Sequence, residues 1–351
     1  MSKLRSGFTT GTCAAAAAKA AARFLSDGTA LKDVEVTIPG GDRIVIPVLY
    51  ARGNHGAAEA AVRKDAGDDP DVTNGVTVIV SVARIADDEV VIAAGEGVGT
   101  VTKPGLSVPP GEPAVNPGPR LMIRDAVREV TDHGIRVTIS IPGGKEIAAR
   151  TFNPRLGIID GLSILGTSGR VRPFSCSALR TSLKCLLDVA VASGIRTPVF
   201  VPGHIGERAA NTNFSLTSGQ VIEVSNEWGF MLNCAAGQDF EALMVLGHPG
   251  KLAKLAMGEW DTHSARSRSA LPFVSDMAGN RLAGRMQGIP TVEGLFSALS
   301  SEEREELGDI LAGKVRMAVS ERVGSHVETA AVLVNMRGEI IGVDGDLRKW
   351  K

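Results

Sequence analysis

At 351 residues the chain exceeds the reach of one hydrophobic core, usually about 250 to 300 residues, so two domains are expected. Hydrophobic content of 44%, charged content of 22% and a formal net charge of -1 supply no global basic field to recruit nucleic acid or a membrane surface. Four cysteines (Cys13, Cys176, Cys185, Cys234) show no C-x-x-C pair and no metal-type spacing with the six histidines, which argues against a structural zinc and for a reducing, cytoplasmic setting.

The first element is written in "TTGTCAAAAAKAAARFL" (9–25). Alanine loses no side-chain entropy in a helix, so Ala14 to Leu25 is expected to be helical, with Thr10 or Thr12 as its N-cap. A helix start rich in hydroxyls, with Gly11 permitting close approach, makes Thr9, Thr10 and Thr12 candidate ligands for an anion. The plain alternative is a capped, buried helix with nothing bound. The stretch is too short to span a bilayer and lacks the order of a signal peptide.

"VEVTIPGGDRIVI" (34–46) and "VTISIPGGKEIAA" (137–149) echo each other. Alternation followed by Pro-Gly-Gly reads as a strand, a tight turn and a returning strand. Each follows a helix-like stretch, 14–25 and 120–131, so the N-terminal half is expected to be a pseudo-duplicated α+β unit with β-hairpins. Between the copies, "KDAGDDPDVTNG" (64–75) gathers Asp65, Asp68, Asp69 and Asp71 in a cation loop or a capped turn. It is not an EF-hand, because the closing Glu is missing. "GEGVGTVTKPG" (95–105) imitates a dinucleotide fingerprint, but its sequence cannot open the required helix.

From Ser177 the rhythm becomes helix (177–192), strand (198–203), helix, strand (221–225), helix (227–236), strand (242–247) and helix (250–257). A charged helix over 301–323, the strand "AAVLVN" and a terminal hairpin edge complete it. This alternation predicts an α/β domain with a mostly parallel sheet. The expected domains are therefore 1–165 and 166–351, with the boundary inside 161–175.

Two turns of the second domain run from an apolar strand through Gly-His-x-Gly into a helix: "VFVPGHIGERAA" (199–210) and "MVLGHPGKLAKLA" (244–256). In open α/β sheets, ligands bind beyond such strand ends. Gly203, Gly206, Gly247 and Gly250 are the candidate ligand-cradling glycines, and His204 and His248 are candidate general bases or local hydrogen-bonding groups. A cationic stretch, "NPRLGIIDGLSILGTSGRVRPFSCSALR" (153–180), places Arg155, Arg170 and Arg172 beside hydroxyls such as Ser175. With Lys103, these guanidinium forks suit a ligand bearing several carboxylates. "DTHSARS" (261–267) has no G-x-S-x-G elbow and is not read as a hydrolase motif.

Taken in order, "GFTTGTCAAAAAKAAA" (7–22), "GDDPDVTNG" (67–75), "GEGVGTVTKPGLSVPPGEPAVNPGPRLMI" (95–123), "TFNPRLGIIDGLSILGTSGRVRPFS" (151–175) and "GHPGKLAKLAMGEWDTHS" (247–264) resemble the CbiD family of cobalt-precorrin-5B C(1)-methyltransferases. Asp160 and Ser168 depart from the family pattern, at positions where a small residue and a threonine are usual. The resemblance implies methyl transfer from S-adenosylmethionine to C1 of a cobalt-containing tetrapyrrole in cobalamin biosynthesis, with the cobalt carried by the substrate. On that expectation, segments 7–13 and 153–177 are the candidates to hold substrate carboxylates, the Gly-His turns at 202–206 and 247–250 to hold the methyl donor, and Glu223 to partner a ribose hydroxyl. The implied partner is a small-molecule corrinoid, with no nucleic acid or membrane, and a homo-oligomer is allowed. A non-catalytic corrinoid carrier would bind no S-adenosylmethionine, and a reductase would bind a nicotinamide.

Overall fold

A computed structural model of the chain describes residues 4–54, 56–279 and 289–351. It divides into two units, Met1–Cys176 and Ser177–Lys351.

Unit 1 runs β1 (Gly7–Phe8), α1 (Thr10–Asp27), β2 (Asp33–Thr37), β3 (Arg43–Pro47), β4 (Tyr50–Gly53), β5 (Ala57–Arg63), β6 (Thr77–Arg84) and β7 (Val90–Ala94). It continues with β8 (Thr100–Val101), α2 (Pro117–Arg128), β9 (Ile135–Ser140), α3 (Gly144–Ala148), β10 (Ile158–Ile159) and β11 (Arg170–Val171). The division falls after Cys176 rather than after residue 165, because β11 pairs antiparallel with β1 and ties the 166–175 segment to this unit.

The helix α1 begins four residues before Ala14, and its N-cap is Thr9 rather than Thr10 or Thr12. Thr9 has extended backbone, φ -79° and ψ 163°, and its Oγ1 accepts the Thr12 N–H at 3.2 Å. Gly28 ends the helix in the left-handed region at φ 75°. The alanines are buried all round, because α1 touches α2, β2, β4, β5 and β6. Methyl-sized side chains let a helix approach its neighbours closely. Ala58, Ala60 and Ala61 of β5 are buried too, so small residues lie on both sides of the contact.

β5 and β6 belong to a five-stranded sheet ordered β4-β5-β6-β9-β7, antiparallel except for the β7–β9 pair. The hairpin β2–β3 forms as expected, with alternating exposed and buried residues and Gly40 and Gly41 at positive φ. The second copy does not: β9 leads through Gly143 into the helix α3, not into a returning strand. The sequence after each turn explains the difference. Arg-Ile-Val-Ile is β-branched, whereas Lys-Glu-Ile-Ala-Ala is dominated by helix formers.

Unit 2 begins with α4 (Cys176–Ala192), which its first residue shares with unit 1, and continues β12 (Val199–Val201), α5 (His204–Asn213), β13 (Val221–Glu223), α6 (Trp228–Ala236), β14 (Ala242–Gly247) and α7 (Pro249–Ala256). After these come α8 (Leu271–Ala278), α9 (Val292–Ser297), α10 (Ser301–Val323), β15 (Glu328–Val334) and β16 (Ile340–Asp344). The sheet order is β13-β12-β14-β15-β16, parallel except for the edge strand β16. Every residue of β14 is buried, as in a strand covered on both faces. Ala209 and Ala210 of α5 pack with Val199, Val201, Met244 and Leu246 on one face. The helices α7 and α10 pack against β14 and β15 outside that cluster. The expected α+β and α/β architecture is thus present, one class per unit.

Candidate functional site

The order of strands singles out one place in unit 2. The chain leaves β12 through α5 toward β13, and leaves β14 through α7 toward β15 on the opposite side. The carboxyl ends of β12 and β14 therefore flank a topological switch point, where open α/β sheets bind ligands. Both Gly-His turns start there.

The two turns are built differently. His248 is the N-cap of α7: its Nδ1 accepts the Gly250 N–H at 3.0 Å, and its Nε2 lies 2.7 Å from Glu293 Oε2. An Nδ1 that accepts leaves the proton on Nε2, which then donates to the carboxylate. Both ring nitrogens are hydrogen-bonded, the arrangement of a local cap. At α5 the N-cap is Gly203, which has no side chain to cap with, and His204 is exposed on the first turn. The first-turn N–H groups of α5 thus lack the side-chain cap that closes the start of α7.

Glu223 ends β13 directly opposite Val201 of β12. A Cβ built on Gly203 would meet Glu223 Oε1 at 3.7 Å and nothing else within 4 Å among the described residues, so they leave the space over this glycine open. The other glycines fill a different role. At Gly206 a Cβ would lie 3.0 Å from Val201 Cβ, and at Gly247 it would lie 2.9 Å from the Pro202 ring. At Gly250 it would lie 3.0 Å from His248 Nδ1. These three let protein approach protein; Gly203 and Glu223 border open space.

Sequence reasoning passed over the lysines just beyond. Lys251, on the first turn of α7, donates to Asn226 Oδ1 in the loop after β13. Thr262 Oγ1 donates to the same oxygen at 3.2 Å. The buried Lys254 donates to the Thr262 carbonyl at 3.2 Å and the Ser267 hydroxyl at 2.7 Å. Burial, and next the charge of Lys254, push the Lys251 ammonium below the usual lysine range, against the pull of Asp261. The signal was the i, i+3 pair of lysines in "GKLAKLA", which places both on one side of a helix. Arg180, from the cationic stretch, sits in this unit and binds the buried Glu227 at 2.6 Å.

In unit 1 the threonines are not presented to solvent. Thr9, Thr10 and Thr12 are all buried, and Thr12 is 0% exposed. Thr12 Oγ1 donates to the Gly169 carbonyl at 2.7 Å, and Thr10 Oγ1 accepts the Leu165 N–H at 3.0 Å. Gly11 N–H donates to the Leu165 carbonyl at 3.0 Å. The 163–169 loop therefore lies over the start of α1. The hydroxyls there anchor that loop.

The cations differ among themselves. Arg172 and Arg155 are exposed, while Arg170, half-buried in β11, reaches Asp42 at 3.8 Å. Lys103 lays its alkyl chain where a Gly157 side chain would be, 2.4 Å from that glycine's Cβ position. Ser175 is half-buried. The same segment exposes large apolar groups: Ile159, Leu165 and Phe174, the last 70% exposed. Phe174 has φ 55° and Asp160 φ 63°, a left-handed backbone that costs strain for side chains other than glycine's. The Asp160 carboxylate binds Lys145 at 2.8 Å, and Ser168 Oγ donates to the Arg170 carbonyl at 3.0 Å, so both departures from the family pattern are absorbed locally.

The acidic loop is a set of caps. Asp71 accepts from Lys64 at 2.7 Å and from Thr73 N–H at 2.7 Å; Asp65 pairs with Arg5, Asp68 accepts the Arg5 N–H at 2.6 Å, and Asp69 accepts the Phe174 N–H at 2.9 Å. Burial pushes the Asp71 carboxyl up, but the bonds from Lys64 and Thr73 outweigh it and hold the group below its ordinary value. The glycines of the 95–99 segment pack closely against neighbouring chain. A Cβ on Gly161 would lie 2.3 Å from the Gly97 carbonyl, so these glycines let two backbones touch. Among the described residues, no group of acidic, histidine or cysteine side chains is placed to hold a metal, and no helix is long and apolar enough to cross a membrane.

Comparison with known proteins adds a family. The CbiD model matches residues 1–173, and the model of the CbiD C-terminal domain matches residues 261–345. The cobalt-precorrin-5B C(1)-methyltransferase of Syntrophotalea carbinolica is 54% identical over 351 residues, covering 100% of both chains. That of Methanocaldococcus jannaschii is 41% identical, covering 97% of this chain and 96% of its own. A crystal structure of the cobalamin biosynthesis protein CbiD from Archaeoglobus fulgidus is 29% identical, with TM-score 0.40, covering 75% of this chain and 83% of that one.

Proposed function

The chain belongs to the CbiD family, and from that premise we propose that it transfers a methyl group from S-adenosylmethionine to C1 of cobalt-precorrin-5B, giving cobalt-precorrin-6A. The observation that carries this reading is end-to-end identity of 54% with a relative named for that reaction. The reading makes it a cytoplasmic enzyme of cobalamin biosynthesis.

The residues of unit 2 fit the donor. Glu223 accepts hydrogen bonds from ribose hydroxyls, and the open space over Gly203 admits the nucleoside at a strand end. The uncapped first turn of α5 offers N–H groups to ribose oxygens. Residues of unit 1 fit the acceptor, a flat macrocycle rimmed with acetates and propionates. Arg155, Arg172 and Lys103 pair with its carboxylates, and exposed apolar groups such as Phe174 cover its face. S-adenosylmethionine supplies a methyl group already activated on sulfur, displaced in line by an electron-rich ring carbon. The protein's part is to hold donor and acceptor in a near-attack geometry, which needs no covalent enzyme intermediate. The cobalt is part of the substrate. His204, exposed on the donor turn, is the histidine assigned to accept a proton from the macrocycle.

Incubation of the purified protein with cobalt-precorrin-5B and methyl-labelled S-adenosylmethionine tests this directly. Label in the corrinoid, mapped to C1, is expected. Tight corrinoid binding without any label transfer or donor binding would replace the enzyme by a carrier.

A further inference from the structure

Unit 2 holds two lysines whose ammonium groups hydrogen-bond to no carboxylate among the described residues. Lys254 is 6% exposed, yet its acceptors are the Thr262 carbonyl and the Ser267 hydroxyl, both neutral. Lys251, one turn earlier, has the neutral Asn226 Oδ1. Asp261, the nearest acid by its influence on Lys251, is bound by Arg266. Residues 280–288, outside the described set, contain neither Asp nor Glu. A buried charge without a counter-charge is costly, and an incoming anion relieves that cost.

Its position gives the pair a use. Asn226 lies three residues past Glu223, and Lys251 four past Gly247. Their bond joins the loop after β13 to the first turn of α7, which follows β14; β13 and β14 are the two strands that flank β12. Between Glu223 and Asn226 the chain passes through Ser225 at φ 54°, a strained conformation held beside the switch point.

We propose that Lys251, reinforced by the charge of Lys254, is a carboxylate-binding subsite beside the donor turn. The ammonium exchanges its neutral partner Asn226 for a carboxylate, while Asn226 keeps its bond to Thr262. Two carboxylates fit: that of the donor's amino-acid tail, or an acetate or propionate of the macrocycle. The identity of the ligand rests on the methyltransferase reading; the neutral acceptors of the two lysines do not.

The test is calorimetric titration of the full chain and its K251Q and K251R variants with three probes. S-adenosylhomocysteine carries the tail carboxylate, methylthioadenosine has the same nucleoside and sulfur without it, and cobyrinic acid carries the macrocycle's carboxylates. K251Q is expected to weaken one carboxylate ligand by roughly tenfold to hundredfold, as loss of a charged hydrogen bond does, and to leave methylthioadenosine unchanged. K251R should retain most of the affinity. Loss confined to S-adenosylhomocysteine assigns the donor's carboxylate; loss confined to cobyrinic acid assigns the macrocycle's. Unchanged affinity for both, or equal weakening of methylthioadenosine, overturns the subsite while leaving the methyltransferase reading intact. A wild-type chain that binds none of the three overturns both.

Discussion

At the scale of the residue, two histidines in matching turns do different work. His248 holds the start of α7 through Gly250 and is itself held by Glu293, so His248→Ala should lower stability by about 0.5–2 kcal/mol, the usual cost of a lost cap. His204 is exposed, and His204→Ala should leave the thermal midpoint unchanged. Differential scanning calorimetry of the two variants separates these outcomes. Glu223→Gln keeps size but removes the charge proposed to accept ribose hydroxyls, and should weaken donor binding by roughly tenfold in calorimetric titration. Equal affinity in wild type and variant would remove Glu223 from the donor site. The cysteines divide in the same way. Burial pushes the Cys13 thiol up to about 12, whereas Cys176 is exposed. Iodoacetamide at pH 8 should therefore label Cys176 in the native protein and Cys13 only after denaturation, as peptide mapping would show.

Among the elements, α1 makes the strongest demand on composition. Its alanines are enclosed by α2 on one side and strands on others, so no direction is left for a longer side chain. Ala17→Leu should destabilise the protein by about 1–3 kcal/mol or more through overpacking, read as a lower denaturant midpoint with an unchanged slope. The paired Ile-Pro-Gly-Gly segments show where local sequence is enough and where its reading must go further. The strand before each turn was legible from alternation, and the first hairpin with it. The second turn looked the same, but Lys145 to Ala149 carry helix-forming residues, and a turn alone does not decide whether a strand or a helix comes next. The alternating strands and helices of unit 2 were legible throughout, because a strand buried on both faces is a short, uniformly apolar run.

For the molecule as a whole, acid sensitivity should concentrate in the loop of Asp65 and Asp71. Bonds from Arg5 and Gly67 lower the Asp65 carboxyl, and those from Lys64 and Thr73 lower Asp71 despite its burial. A carboxyl whose folded value lies below its unfolded one stabilises fully above the unfolded value, ordinarily 3.8 for Asp, and loses that contribution as pH falls through the folded value. Unfolding free energy should therefore decline below about pH 4, and Asp71→Asn should flatten the decline while lowering stability at neutral pH. Urea titrations across this range check both signs.

The order of motifs was enough to identify the family, and the periodicities were enough to identify an α+β half followed by an α/β half, because both depend on residues close together in the chain. Which groups face a ligand depended on contacts the chain makes over long separations. Thr12 meets Gly169 across 157 residues and is closed to solvent; His248 meets Glu293 across 45 and becomes a cap; Lys251 meets Asn226 across 25 and has a neutral acceptor. A side chain's residue type sets the chemistry it can perform. Burial and partners decide whether it is free to perform it, and those exist only once distant segments have packed together.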